Sequence, residues 1–172
     1  MESMFRDLKA KEIDCRVSQI NEKGLVLLLY KDARVDMDIL DEAVGAKNWQ
    51  RTHTRDNANC IIEIWDEDKK QWICKEDTGT ESFTEKEKGL ASDSFKRAGF
   101  NWGIGRELYT APFIYIPVKD TEGNLNYEPK EKNGKVVTYT KFYVEAIQIT
   151  DKVITGLAIK NDKNKRVFVY KK

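Results

Sequence analysis

Apolar and polar positions alternate along residues 13–20. Ile13, Cys15, Val17 and Ile20 stand against Asp14, Arg16 and Ser18, the period of a half-buried strand. Asn21-Glu22-Lys23-Gly24 is a turn, and residues 25–30 form an unbroken apolar run, expected as a strand buried on both faces. Ahead of these, residues 4–11 place Phe5 and Leu8 on one side of a short amphipathic helix. The period changes at Ala33–Val44, where Val35, Ile39, Leu40, Ala43 and Val44 fall on one helical face and Gly45 is the natural stop.

Three strands are expected next, at Trp49–Thr54, residues 60–65 and residues 71–76. Asp56-Asn57-Ala58-Asn59 and Asp66-Glu67-Asp68-Lys69 would join them as hairpins. The longest helix is expected over residues 85–102. Thr84 would be its N-cap and Glu87 would complete a capping box, while Glu85 and Glu87 suit the positive end of the helix dipole. Gly103 and Gly105 would end it. Residues 113–118 read as a strand, 120–135 as a loop or loose hairpin, and 139–150, 152–160 and 166–170 as a meander. The fold class is therefore α+β: a β-β-β-α core with a long helix packed on an antiparallel sheet, plus a C-terminal β-meander. With 172 residues, no repeat and no low-complexity linker, one domain is expected, with residues 1–110 as core and 111–172 as a β-rich extension.

Composition narrows the chemistry. The chain is 40% hydrophobic and 34% charged, enough to bury a core, and its net charge of +1 excludes a wholly basic nucleic-acid coat. The charge is uneven. Residues 111–172 hold 12 Lys/Arg and 7 Asp/Glu, a net of +5, while residues 1–110 hold 18 and 22, a net of −4. The basic C-terminus is either a solvated end or an anchor for a polyanion. No stretch approaches the roughly 20 apolar residues of a membrane span. MESMFRDLKAKE carries no signal-peptide core, so a cytoplasmic protein is expected. Cys15, Cys60 and Cys74 are odd in number and widely spaced. They read as small buried hydrophobes rather than a disulfide framework or a zinc site. His53, the only histidine, lies in an alternating polar segment and reads as a surface strand position.

The long helix carries the candidate chemistry. At about 100° per residue, Ala91, Phe95, Ala98 and Trp102 share one narrow face that would point to the core. Roughly opposite lie Lys86, Gly89, Asp93, Lys96, Arg97 and Phe100. Two cations beside an aromatic suit a single strand of nucleic acid, because phosphates need charge and unpaired bases need a flat surface. The competing reading packs Phe100 under a strand and leaves Lys96 and Arg97 facing solvent. Gly89 and Gly99 are costly inside a helix and suggest that another backbone or a ligand comes close.

The stretch TGTESFTEKEKGLASDSFKRAGFNWGIGRELY, residues 78–109, resembles the central motif of the single-strand annealing proteins, the Rad-fifty-two family with its phage Sak-like relatives. Its Ser92-Asp93-Ser94-Phe95-Lys96-Arg97-Ala98 and Trp102-Gly103-Ile104-Gly105-Arg106 segments carry the likeness. RVDMDILDEAVG, residues 34–45, followed by Asn48-Trp49, is similar to the family's first helix and the residues after it. The resemblance spans about the first 110 residues and fades after Tyr109. It implies a homo-oligomeric ring of β-β-β-α units holding single-stranded DNA in a cationic groove, with bases presented outward for pairing and no nucleotide hydrolysed. It places Lys96 and Arg97 in the inner groove and Arg34 as a further backbone contact. Phe100 departs from the eukaryotic pattern, in which a basic residue is usual, and offers stacking instead.

The expected function is thus ATP-independent binding and annealing of single-stranded DNA in recombination and repair, with no cofactor, no metal and no enzymatic step. A single-strand DNA-binding protein is a further candidate partner. Lys96, Arg97, Arg34 and Phe100 are the main DNA-binding candidates. Arg51, Arg55 and Arg106 are secondary ones, Arg106 competing with a role at helix-end carbonyls. A nuclease built from Glu81, Glu85 and Asp93 lacks helical spacing, and no phosphate-cradling Gly-Lys-Ser/Thr loop is present. The rival is a passive single-strand binder or a recruitment module.

Overall fold

Strand pairing, rather than chain order, divides this molecule. The computed structural model describes residues 4–80 and 86–172. Its described residues are α+β, with two α-helices and antiparallel sheets, and form two compact units: 4–7 with 32–106, and 8–31 with 107–172.

The first unit contains α1 (Ala33–Val44), a three-stranded antiparallel sheet of β3 (Trp49–Thr54), β4 (Asn59–Asp66) and β5 (Gln71–Thr78), and α2 (Lys86–Trp102) packed on β4 and β5. The β3–β4 hairpin turns through Arg55, Asp56 and Asn57, all at positive φ, as Asn and Asp tolerate best. Register puts Trp49 beside Ile64, Arg51 beside Ile62 and His53 beside Cys60. It puts Ile73, Lys75 and Asp77 on the other side of the same three β4 residues. Directly paired residues share a face, so a buried apolar column of Cys60, Ile62 and Ile64 is flanked by these two sets. That face meets α2 through Phe95 and Ala98, both wholly buried.

Asp32 caps α1 by accepting from the Arg34 amide at 2.8 Å, and Gly45, at φ 84°, closes it with its N–H on the Asp41 carbonyl. The buried face of α1 is Ala33, Asp36, Ile39 and Leu40. The helix is therefore turned from the purely apolar stripe expected, with Ala43 exposed and a carboxylate buried. Gly99 explains the turn. A Cβ there would overlap Asp36 Oδ1, so the glycine in α2 makes room for the α1 side chain. Thr84 and Glu85, with the Glu87 side chain, lie outside the described residues, and so does the expected capping box.

The second unit is a six-stranded antiparallel sheet in the order β11-β10-β9-β1-β2-β6. It is formed by β1 (Asp14–Ile20), β2 (Gly24–Tyr30), β6 (Ile114–Pro117), β9 (Phe142–Thr150), β10 (Val153–Asn161) and β11 (Arg166–Lys171). Its edges β6 and β11 approach one another. Leu25, Leu27, Ile114, Ile116, Phe142, Val144, Ile154, Leu157 and Ile159 fill its interior. The expected division at residue 110 thus moves, because residues 8–31 pair with the C-terminal strands. Within and just past the segment expected as a loop or loose hairpin, β7 (Pro129–Lys132) and β8 (Lys135–Thr138) form a small hairpin.

Three further expectations change. Residues 4–11 form no α-helix. Phe5 and Leu8 are buried as expected, but only a 3-10 turn at Ala10–Glu12 forms, since so short a segment does not repay helix nucleation. The β2 run is not buried on both faces, as Leu28 and Tyr30 are exposed. Cys60 is buried and Cys15 half-buried, but Cys74 is exposed on the side of β5 away from α2. Burial, aided by Asp14, pushes the Cys15 thiol up to about 12, and burial pushes Cys60 to about 11. Among the described residues, no helix is long and apolar enough to cross a membrane.

Candidate nucleic-acid interface

Helical spacing sets up the first pair. Asp93 and Arg97 are one turn apart on α2, where side chains meet. Arg97 Nε donates to Asp93 Oδ2 at 2.9 Å, and the same oxygen accepts from the Thr80 amide at 2.8 Å. The second pair comes from capping. Asp32 accepts from Arg34 Nε at 2.9 Å as well as from the Arg34 amide. Lys96 lies within electrostatic reach of both carboxylates. Its ammonium makes no hydrogen bond or ion pair with another described residue.

Charges therefore alternate along this surface: Arg34, Asp32, Lys96, Asp93, Arg97. The Arg34 guanidinium bond, then its backbone bond, hold Asp32 below the usual carboxylate range, and Lys96 adds to this. Partial burial opposes ionisation of Asp93, but the Thr80 amide, Arg97 and Lys96 outweigh it and the carboxyl is lowered too. Arg34 is raised by its hydrogen bond and charge pairing with Asp32. Each guanidinium is hydrogen-bonded to a neighbouring carboxylate. Phe100 is half-buried, one turn beyond Lys96 and Arg97.

The remaining candidates lie elsewhere in the unit. Arg51 sits over the Phe95 ring, 4.6 Å from its centroid, on the helix-facing side of the sheet. Lys75, two strands away on the same rung, sits 4.7 Å from the Trp102 centroid and donates to the Asn101 carbonyl at 2.9 Å. These two cations grip α2 from either side of Ile62. Arg55 is exposed in the β3–β4 turn at φ 51°. Arg106 donates from Nε to the Phe100 carbonyl at 2.9 Å and from an Nη to that of Asn101 at 3.1 Å.

The Trp-Gly-Ile-Gly-Arg segment follows from helix termination. Gly103 at φ 97° turns the chain, its N–H meets the Phe100 carbonyl, and the Ile104 N–H reaches back to Gly99. That double bond pattern closes a helix through a left-handed glycine. Ile104 is buried as its apolar anchor, and Arg106 folds back onto the last carbonyls.

His53 is half-buried and faces α2 rather than solvent. Its Nδ1 lies 3.4 Å from Ser94 Oγ, and that hydroxyl also lies 2.9 Å from the Asn57 carbonyl. Burial first, and Arg51 second, lower the His53 pKa. Sequence reasoning overlooked Asp32 and Asp93 as partners of the cations, although an N-cap Asp and an i,i+4 Asp–Arg spacing are both readable signals. It also overlooked Lys75, which only strand register reveals. The chain matches no protein-family model, no curated protein and no solved structure.

Proposed function

We propose that this chain binds single-stranded DNA and anneals complementary strands without ATP. The observation that carries the reading is the alternating row Arg34–Asp32–Lys96–Asp93–Arg97. Phosphates replace Asp32 and Asp93 as partners of the two guanidiniums, while Lys96 supplies charge between them. The carboxylates stay in place as competitors, so the grip is moderate. An annealer needs that balance, since it must hold the sugar-phosphate side, leave base edges legible and release the duplex. Phe100 offers a stacking surface beside the cations. The likeness of residues 78–109 to the single-strand annealing family supports the same reading. In sequence, residues 1–7 and 32–106 hold 13 Lys/Arg and 18 Asp/Glu, a net of −5, so binding relies on local placement rather than bulk charge.

The three-stranded sheet ends in two edges, β3 and β5, with no strand partner among the described residues. Such edges invite pairing with another copy, and a closed ring satisfies them. Light scattering at micromolar concentration should therefore report an oligomer, and a strict monomer refutes the ring.

The decisive assay mixes two complementary labelled oligonucleotides with protein, without ATP or metal. An annealer accelerates pairing, a passive coat slows it, and a recruitment module does neither. Lys96→Ala with Arg97→Ala should abolish strand binding with the fold intact by circular dichroism, because two phosphate contacts and their salt dependence vanish together.

A further inference from the structure

The second unit carries the opposite charge. Residues 8–31 and 107–172 hold 17 Lys/Arg and 11 Asp/Glu, a net of +6. Its sheet has one face turned to the core and one turned out, and register assigns the outward residues. Tyr115 pairs with Val26, Leu28 with Arg16, Tyr30 with Asp14, Asp14 with Tyr143, and Tyr143 with Lys160. Of these, Tyr30 is 42% exposed, Tyr143 47%, Tyr115 41% and Leu28 56%. Large apolar groups this exposed on one face require an explanation.

The arrangement is specific. Tyr30 and Tyr143 share a rung, separated by one strand and hence by roughly 10 Å. The Tyr115 ring lies over Gly24, where any Cβ would overlap it. The side chains of Arg16, beside Leu28, and Lys160, beside Tyr143, make no hydrogen bond or ion pair with another described residue, and Lys160 lies within electrostatic reach of Glu145. Glu145, on the same face, is neutralised by Arg166, whose Nε donates to it at 2.7 Å.

We infer that this outward face is a second polynucleotide surface, on which Tyr30 and Tyr143 stack unpaired bases while Arg16 and Lys160 meet the flanking phosphates. Rings standing on an antiparallel sheet are a recurring platform for single strands, because every base has a π-face. Charge argues for this occupant over a second copy of the chain. The centre of a protein–protein interface is depleted of charged residues, whereas here Asp14, Arg16 and Lys160 are interleaved with the rings. Asp14, between the two tyrosines, sits at the level of the bases, where a carboxylate accepts from exocyclic amines. The inference stands apart from the α2 site, since it uses other residues on another unit.

The test uses the full chain and a single-stranded oligonucleotide carrying 5-iodouracil. Irradiation should cross-link Tyr30 or Tyr143, identified by peptide mass spectrometry. The Tyr30→Leu, Tyr143→Leu variant keeps apolar surface but removes the rings, and should weaken binding at least about fivefold. Cross-links that persist in the Lys96→Ala, Arg97→Ala variant support the sheet face even if the α2 reading fails. Absence of cross-links from this face, with unchanged affinity in the tyrosine variant, overturns the proposal. So does unchanged affinity accompanied by a changed mass in light scattering, which would identify a second copy as the occupant.

Discussion

The carboxylate of Asp93 holds Arg97 and the Thr80 amide through a single oxygen, Oδ2, at 2.9 and 2.8 Å. It therefore orients the guanidinium and competes for it at once. Asp93→Asn keeps the shape, can still accept from Thr80, and removes the competing charge. Oligonucleotide affinity should rise several-fold at low salt, and annealing should slow as strands are released less readily. Fluorescence anisotropy and a strand-pairing assay read the two effects. A fall in affinity would mean that orientation outweighs competition.

Arg106 separates helix capping from ligand binding. Its guanidinium meets the carbonyls of Phe100 and Asn101. Arg106→Ala should cost about 0.5–1.5 kcal/mol of stability, the usual worth of such hydrogen bonds, and leave oligonucleotide affinity within twofold. Thermal unfolding and anisotropy on the same preparation test both halves.

Gly99→Ala should run against helix propensity. Alanine is favoured over glycine inside a helix by about 1 kcal/mol. Here the new methyl meets the Asp36 carboxylate, which is wholly buried. Overpacking of that kind costs roughly 1–3 kcal/mol, so the net change should be destabilising. A midpoint in urea unfolding at or above the parent value would show that Asp36 moves aside freely.

Asp120 gives the second unit an acid-sensitive tie. The Lys165 ammonium donates to its Oδ2 at 2.8 Å, and the amides of Asn124 and Glu122 donate to Oδ1. The Lys165 hydrogen bond leads in lowering the carboxyl from its ordinary 3.8 to about 2. A depressed folded pKa stabilises above the unfolded value and loses that contribution as pH falls through the folded one. The tie should thus be intact above about pH 4 and gone near pH 2. In Asp120→Asn the melting temperature should fall less steeply across that window. An unchanged slope would assign the acid sensitivity to other carboxylates.

Local signals made much of the fold legible. The alternation at residues 13–20, the Asn-rich β3–β4 turn and the Gly45 stop each depend on neighbours within a few positions. The short N-terminal segment misled, because its apolar pair at Phe5 and Leu8 is equally satisfied by burial without helix formation. The run at residues 25–30 misled because apolarity along a strand does not reveal whether both faces are covered.

The candidate site divides in the same way. Lys96, Arg97 and Phe100 were readable on one helical face, and Gly99 as a point of close approach, because helix geometry is intrinsic to the chain. Tertiary structure alone decided that Asp32, from the start of another helix, lies within reach of Lys96. It also decided that Arg51 and Lys75 clasp α2 across Ile62, and that residues 8–31 pair with strands more than 80 positions away. These are choices of partner among segments with similar periods. They are settled by which faces bury together, and that information belongs to the folded chain as a whole rather than to any stretch of it.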